Sequence, residues 1–141
     1  MKSARRRARE LTLQALYQWQ LSGQSVATIK KQFIESKDYA KADQNYFDVL
    51  FSGTVKESET LQAAITQYID RKFSELSPVE RAVLLLAGHE LVHQIDIPYR
   101  VVINEAVELA KSFGGTDGHK YVNGVLDKFA ADVRSVEINQ R

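Results

Sequence analysis

The chain has 141 residues, of which 44% are hydrophobic and 26% are charged. This length and balance predict one compact globular domain with its own core. The absence of cysteine excludes disulfides and thiolate metal sites, and it agrees with a reducing cytoplasm. No apolar run is long enough for a signal peptide or a membrane span, so we expect a cytoplasmic location.

Positive charge is concentrated at the N-terminus. Of the 19 basic residues, five lie within the first nine positions, and the other 14 stand against 18 acidic residues, so residues 10–141 carry a net charge of −4. A near-neutral chain with one strongly basic end predicts local contact with a polyanion. The five cations, called the basic segment below, are Lys2, Arg5, Arg6, Arg7 and Arg9.

Helical periodicity dominates the first half of the chain, and few windows alternate as strands do. The spacing predicts a first helix over about 3–21 and a second helix that starts at Ser25. Residues 36–43 are polar and predict a loop. The apolar pattern then predicts a long helical stretch over about 43–71, with Gly53 as the point where it bends or breaks.

The second half of the chain opens with a helix-start signal. Ser77 is placed to cap a helix, Pro78 suits its first turn, and Glu80 completes a capping box. The helix that follows is apolar around most of its circumference and is predicted to be the most buried. Two more amphipathic helices follow, and the tail after Arg134 is expected to fray.

Six or seven helices without strands predict an all-α fold of two packed helical bundles. The predicted N-terminal subdomain covers about 1–72 and the C-terminal subdomain about 77–135, with the break between them. Both belong to a single domain of residues 1–141.

The first helix carries Lys2, Arg6 and Arg9 on its predicted outer side, with Arg5 at the edge of that side and Arg7 further round the helix. At about 100° per residue, positions 2, 6, 9, 13 and 17 fall in one narrow arc, opposite a buried stripe centred on Leu11. Arginine binds phosphate oxygens through paired hydrogen bonds, and Tyr17 in the same arc would stack an unpaired base or contact a protein. The alternative is a solvated basic end that only aids solubility.

The last helix offers a second candidate contact. Tyr121 and Lys120 lie away from its apolar face, and an exposed tyrosine beside a lysine suits single-stranded RNA. The alternative is a partly buried tyrosine at a helix boundary.

One motif indicates metal chemistry. His89, Glu90 and His93 match the H-E-x-x-H pattern of zinc proteases, on a predicted helix. Catalytic zinc needs a third protein ligand, and no downstream residue supplies a recognisable one. We therefore expect no metal and no other cofactor, with both histidines hydrogen-bonded at the edge of the core and Glu90 solvated.

Several segments together resemble the NusB family of bacterial transcription antitermination proteins. They are residues 2–10, 14–19, 98–111, 113–117 and 120–127, and the similarity runs in order along essentially the whole chain. The resemblance implies an all-α fold of two helical bundles. It also implies a non-enzymatic factor that binds single-stranded boxA RNA together with NusE, a small-subunit ribosomal protein, in a complex with other Nus factors on RNA polymerase that supports ribosomal RNA transcription.

The resemblance also assigns residues. Arg5, Arg6 and Arg9 correspond to the RNA-contacting segment, with Lys2 and Arg7 beside them, and Lys120 and Tyr121 correspond to a second RNA contact. On the protein side, Tyr17 and Glu80 correspond to positions that face NusE, and Asp117 to a position tied to complex assembly. A related domain occurs in ribosomal RNA cytosine methyltransferases, but this chain has no methyl-donor-binding domain.

Two other functions stay open from the sequence. One is a zinc hydrolase built on His89, Glu90 and His93. The other is a protein adaptor whose arginines contact an acidic partner. Exposed apolar surface would also allow a homodimer that hides the RNA face.

Overall fold

The computed structural model describes residues 2–115 and 117–140. These residues form nine α-helices and one 3-10 turn (Phe73–Glu75), with no strand among them, which confirms the predicted all-α class. Within the same residues, no helix is both long and apolar enough to cross a membrane. The helices are α1 (Ala4–Ser22), α2 (Val26–Ile34), α3 (Lys37–Lys41), α4 (Gln44–Lys56), α5 (Ser58–Thr66), α6 (Pro78–His93), α7 (Tyr99–Phe113), α8 (Gly118–Val133) and α9 (Ser135–Asn139).

The chain divides into two compact units, residues 1–56 and residues 57–141. The subdomain limits drawn from the sequence differ from this division by one helix, because α5 packs against α6 in the second unit. A side chain at Gly88 of α6 would meet Ile65 Cδ1 of α5 at 3.0 Å, so the glycine allows the two helices to approach closely. Gly53 lies inside α4, and the helical stretch is interrupted at Glu57 instead.

In the first unit, α1 packs against α2, α3 and α4. Gly23 ends α1 in the left-handed conformation, with φ of 70°, and its N–H donates to the Trp19 carbonyl at 3.1 Å. Phe47 and Phe51 of α4 stack with their ring centroids 5.9 Å apart and fill the core of this unit.

Residues 36–43 contain a short helix rather than the predicted loop. The Ser36 hydroxyl oxygen accepts a hydrogen bond from the Tyr39 N–H at 3.2 Å and caps α3. The Tyr39 ring then meets Phe47 edge-on, with centroids 6.0 Å apart. A polar segment is therefore helical because a serine cap and one aromatic contact stabilise a single turn.

In the second unit, α6 packs against α5, α7 and α8. The predicted capping box is present, since Glu80 N–H donates to Ser77 Oγ at 3.1 Å and Ser77 N–H donates to Glu80 Oε1 at 3.0 Å. Every residue from 82 to 91 is buried. The prediction of a central, almost fully buried helix is confirmed.

The segment after α8 is held by Arg134, whose side chain is 4% exposed. Its guanidinium donates to the carbonyls of Leu91 at 2.7 Å, Gln94 at 3.0 Å and Ile97 at 2.9 Å. The contact to Leu91 satisfies a carbonyl in the last turn of α6 that has no partner within the helix, and the contacts to Gln94 and Ile97 hold the segment that follows α6. The prediction of fraying from Arg134 onwards is wrong, and α9 follows instead.

Candidate nucleic-acid interface

Helix α1 begins with basic rather than acidic residues. The Ser3 hydroxyl oxygen accepts a hydrogen bond from the Arg6 N–H at 3.0 Å and caps the helix, and the first turn contains no acidic residue. Cations at this end meet the positive end of the helix dipole, which is unfavourable. The local stability of α1 therefore does not explain the basic segment.

Lys2 and Arg5 lie on the surface and contact carboxylates of their own unit. Lys2 Nζ lies 3.0 Å from Glu10 Oε2, and Arg5 Nη2 lies 3.5 Å from Asp43 Oδ2. The Arg5 guanidinium also covers the Tyr46 ring, 3.9 Å from its centroid. Exposed ion pairs of this kind contribute little to stability, so a phosphate can compete for both cations.

Arg9 does not lie on the outward face that the helical wheel predicts. Its side chain is 4% exposed, and its guanidinium lies 5.7 Å from the Tyr46 ring centroid. Leu13, placed in the same arc, is buried as well. The helical-wheel prediction assumed a single buried stripe on α1. It is wrong because α1 packs against several helices and is buried over most of its circumference. The predicted exposure of Arg9 is wrong.

Arg6 and Arg7 are half-buried, and Arg6 has a partner within the protein. The outward basic face is therefore smaller than predicted. It consists mainly of Lys2 and Arg5, with Arg6 and Arg7 partly accessible.

Lys120 lies in the first turn of α8 and is open to solvent. Its side chain is 74% exposed, and Nζ lies 3.8 Å from Oδ1 of Asp117, which is also exposed. Asp117 precedes α8, but its carboxylate makes no capping hydrogen bond to the helix. This long, exposed pair leaves the Lys120 charge available to an anion.

Tyr121 is half-buried and held in a cluster with Asp70 and Arg71. Its hydroxyl donates to Asp70 Oδ1 at 3.1 Å, and the Arg71 guanidinium lies 4.6 Å from its ring centroid. Arg71 Nε also donates to Asp70 Oδ1 at 2.9 Å. The hydrogen bonds from Arg71 and then Tyr121 lower the pKa of Asp70, and burial raises the pKa of the Tyr121 hydroxyl.

Arg71 is a candidate contact that the sequence reasoning missed. It is exposed, positively charged and lies against the Tyr121 ring, so the second contact contains a guanidinium as well as a lysine. The only signal in the sequence is the basic pair Arg71-Lys72 in a polar turn. That signal does not indicate that Arg71 contacts a tyrosine 50 positions later.

The two residues expected to face a protein partner have different surroundings. Tyr17 is 41% exposed and lines an open groove of about 430 Å³ with Gln14, Gln18, Leu21, Ser22 and Phe33. Glu80 is half-buried and engaged in the capping box of α6. Tyr17 is therefore accessible to a partner, whereas Glu80 already has a structural role.

The H-E-x-x-H residues lie in the last turns of α6. His93 Nε2 is hydrogen-bonded to Glu57 Oε2 at 2.8 Å, and His89 Nδ1 lies 3.2 Å from Glu57 Oε1. Burial and then the nearby His93 lower the pKa of His89, which favours its neutral ring. Glu90 is 1% exposed, so the prediction of a solvated glutamate is wrong.

Comparison with known proteins identifies the family. The model of the NusB family matches residues 6–131. The chain belongs to the NusB family. It is 57% identical over 140 residues to the transcription antitermination protein NusB of Cupriavidus pinatubonensis. The aligned region covers 99% of this chain and 84% of that protein.

Two solved NusB structures share the fold. A NusB structure from T. maritima matches with a TM-score of 0.82 and 31% identity, over 94% of each chain. A crystal structure of the antitermination factors NusB and NusE in complex with dsRNA matches with a TM-score of 0.83 and 27% identity, over 92% of this chain and 98% of that one.

The resemblance to the NusB family, and with it the prediction of an antitermination factor, is confirmed. The matched range 6–131 includes Arg6, Arg7 and Arg9, but Lys2 and Arg5 precede it. It also includes the candidate residues of the second unit, which are Glu80, Asp117, Lys120 and Tyr121. The roles of the individual residues stay predictions.

Proposed function

We propose that the protein is an antitermination factor that binds single-stranded boxA RNA together with NusE, in a complex with other Nus factors on RNA polymerase. Family membership supports the role, and the NusB relative solved with NusE and RNA supports both partners. The role is one of binding without catalysis, and it places the protein in the cytoplasm, where transcripts are made.

The observation that carries the RNA contact is a set of cations that the fold leaves accessible. At the start of the first unit these are Lys2, which precedes α1, and Arg5 of α1, and on the second unit they are Lys120 and Arg71. They would neutralise backbone phosphates, and release of counterions would drive much of the affinity. Tyr121 would present its ring to an unpaired base, with Arg71 beside it.

The protein contact is proposed on α1. Tyr17 lines an open, mostly apolar groove, which suits the insertion of an apolar side chain of NusE. Asp117 and Glu80 are proposed as further contacts on the second unit, at the start of α8 and of α6.

The test is a binding titration with boxA-like, scrambled and duplex RNA, each with and without NusE. The boxA-like single strand should bind most tightly, and NusE should tighten it further. Four or five phosphate contacts predict a slope of roughly −3 for log affinity against log salt. The duplex is included because the structural relative was crystallised with dsRNA.

A charge variant links binding to the basic segment. The double variant Lys2→Gln, Arg5→Gln should flatten the salt slope by about 1.4, since each lost phosphate contact removes about 0.7. The matched control, Lys31→Gln with Lys56→Gln, removes two exposed charges elsewhere in the same unit and should leave the slope unchanged.

Two outcomes would contradict the proposal. Equal slopes for the double variant and its control would show that the basic segment does not contact RNA. If NusE binds but RNA adds nothing to the affinity of the complex, the protein is an adaptor rather than an RNA-binding factor.

A further inference from the structure

The strongest feature outside the RNA contacts is a cluster of three potential ligands in the second unit. Glu57, His89 and His93 each present one ligand atom, and these atoms lie within 4.8 Å of one another. The two histidines are four positions apart on α6, so they share a face of the helix. Glu57 is the residue that immediately precedes α5.

The third ligand lies upstream in the sequence and is brought to the histidines by packing. Glu57 is 32 positions before His89, and α5 packs against α6. The H-E-x-x-H pattern in this chain is therefore accompanied by a carboxylate that a search of the following residues does not find. The motif's own Glu90 is buried and is not one of the three.

The His89 ring gives an independent indication of a ligand. The residue is 4% exposed, and its Nδ1 has no hydrogen-bond partner among the described residues, although Glu57 Oε1 lies 3.2 Å away. A buried polar atom without a partner is costly. A metal ion between His89 and Glu57 would satisfy that nitrogen.

The separations of the Glu57 carboxylate from the two histidine nitrogens suit a small divalent ion after a minor adjustment. Zinc bonds of about 2.0–2.1 Å in tetrahedral geometry separate neighbouring ligand atoms by about 3.4 Å. The observed separations from Glu57 Oε1 are 3.2 Å to His89 Nδ1 and 2.7 Å to His93 Nε2. The Glu57 side chain would move away from His93 by about 0.7 Å to reach this geometry.

We infer that Glu57, His89 and His93 form a binding site for a divalent transition-metal ion of the zinc class. Two imidazoles and one carboxylate favour zinc over magnesium, which prefers oxygen ligands. Glu57 and His93 are partly exposed, so an ion enters from solvent and water completes its coordination. The ion joins the start of α5 to the last turn of α6 and stabilises the second unit.

The test uses the full chain without a histidine tag, freed of metal by a chelator and titrated with zinc chloride in a calorimeter. We expect one zinc ion per chain, a rise in the melting temperature with zinc, and no binding of magnesium. The chain has three histidines, and His119 lies outside the cluster, so His119→Ala is a matched control that should bind zinc normally.

Two variants remove ligands from the exposed side of the site. His93→Ala and Glu57→Gln should each weaken zinc binding by more than about 100-fold, beyond the loss typical of an outer-shell residue, and should abolish the zinc-dependent rise in melting temperature. Glu57→Gln keeps the side-chain shape, so the test holds if His93→Ala folds poorly.

The absence of stoichiometric zinc binding to the wild-type chain would overturn the inference. Unchanged zinc affinity in both His93→Ala and Glu57→Gln would also overturn it, since the ion would then bind elsewhere. Neither result would bear on the RNA proposal, because the titration contains no RNA.

Discussion

The two regions proposed to contact RNA use their cations differently. In α1, the Arg9 side chain is buried, and the Arg5 guanidinium lies on the Tyr46 ring. At the start of α8, Lys120 is open to solvent and makes only a long contact to Asp117. A run of positive charge in a sequence therefore does not measure how much of that charge is accessible. Helices that pack on several sides bury part of such a run.

The largest effect is expected when the buried Arg9 is replaced. Arg9→Met roughly keeps the volume but removes the charge, and we expect the free energy of unfolding to fall by about 2–3 kcal/mol, because the polar groups that surround this buried cation lose their partner. The half-exposed Arg5 is the matched control, and Arg5→Met should cost less than about 1 kcal/mol. Chemical denaturation measures both, and equal losses would show that burial does not distinguish these arginines.

In the second region, Tyr121 tests whether a base stacks on an aromatic ring. Tyr121→Ala should weaken RNA binding by about 10-fold, equivalent to about 1.4 kcal/mol, because stacking of one base on an aromatic ring contributes about 1–3 kcal/mol. Tyr121→Phe keeps the ring and should bind RNA like the wild type. A loss in Tyr121→Phe as large as in Tyr121→Ala would show that the hydroxyl, rather than stacking, matters.

A smaller effect is expected at Lys120. Lys120→Gln should flatten the salt slope of RNA binding by about 0.7, the value for one phosphate contact. Lys111→Gln, on the exposed side of α7, removes one charge from the same unit and serves as the control. Identical slopes for the two variants would remove Lys120 from the proposed interface.

The smallest effect concerns the pKa of Asp70, measured by NMR titration of its carboxyl carbon. The pKa of Asp70 is lowered by Arg71 first and Tyr121 second, so Arg71→Gln should raise it more than Tyr121→Phe. Because the folded pKa is below the unfolded one, the stabilising contribution is complete above the usual value of 3.8 and is lost as the pH falls through the lowered value. A larger rise in Tyr121→Phe would contradict the assignment of Arg71 as the main cause.

Local sequence signals predicted the features that depend on neighbouring residues. Ser77, Pro78 and Glu80 specify the start of α6 because all their contacts fall within one turn. The apolar run that follows specified the buried central helix. The segments resembling the NusB family were sufficient to identify the family, because a family is recognised by the order of residues along the chain.

The helical class, the capped start of α6, the family and the positions of the charged residues follow from the order of amino acids alone. Packing between helices sets which charges remain accessible. It also places Arg71 on the Tyr121 ring, Glu57 beside His89 and His93, and Arg134 at the end of α6. The physical reason is sequence separation. The hydrogen bonds from His93 to Glu57 and from Arg134 to Leu91 join residues 36 and 43 positions apart, and periodicity within one helix contains no information about contacts at that range.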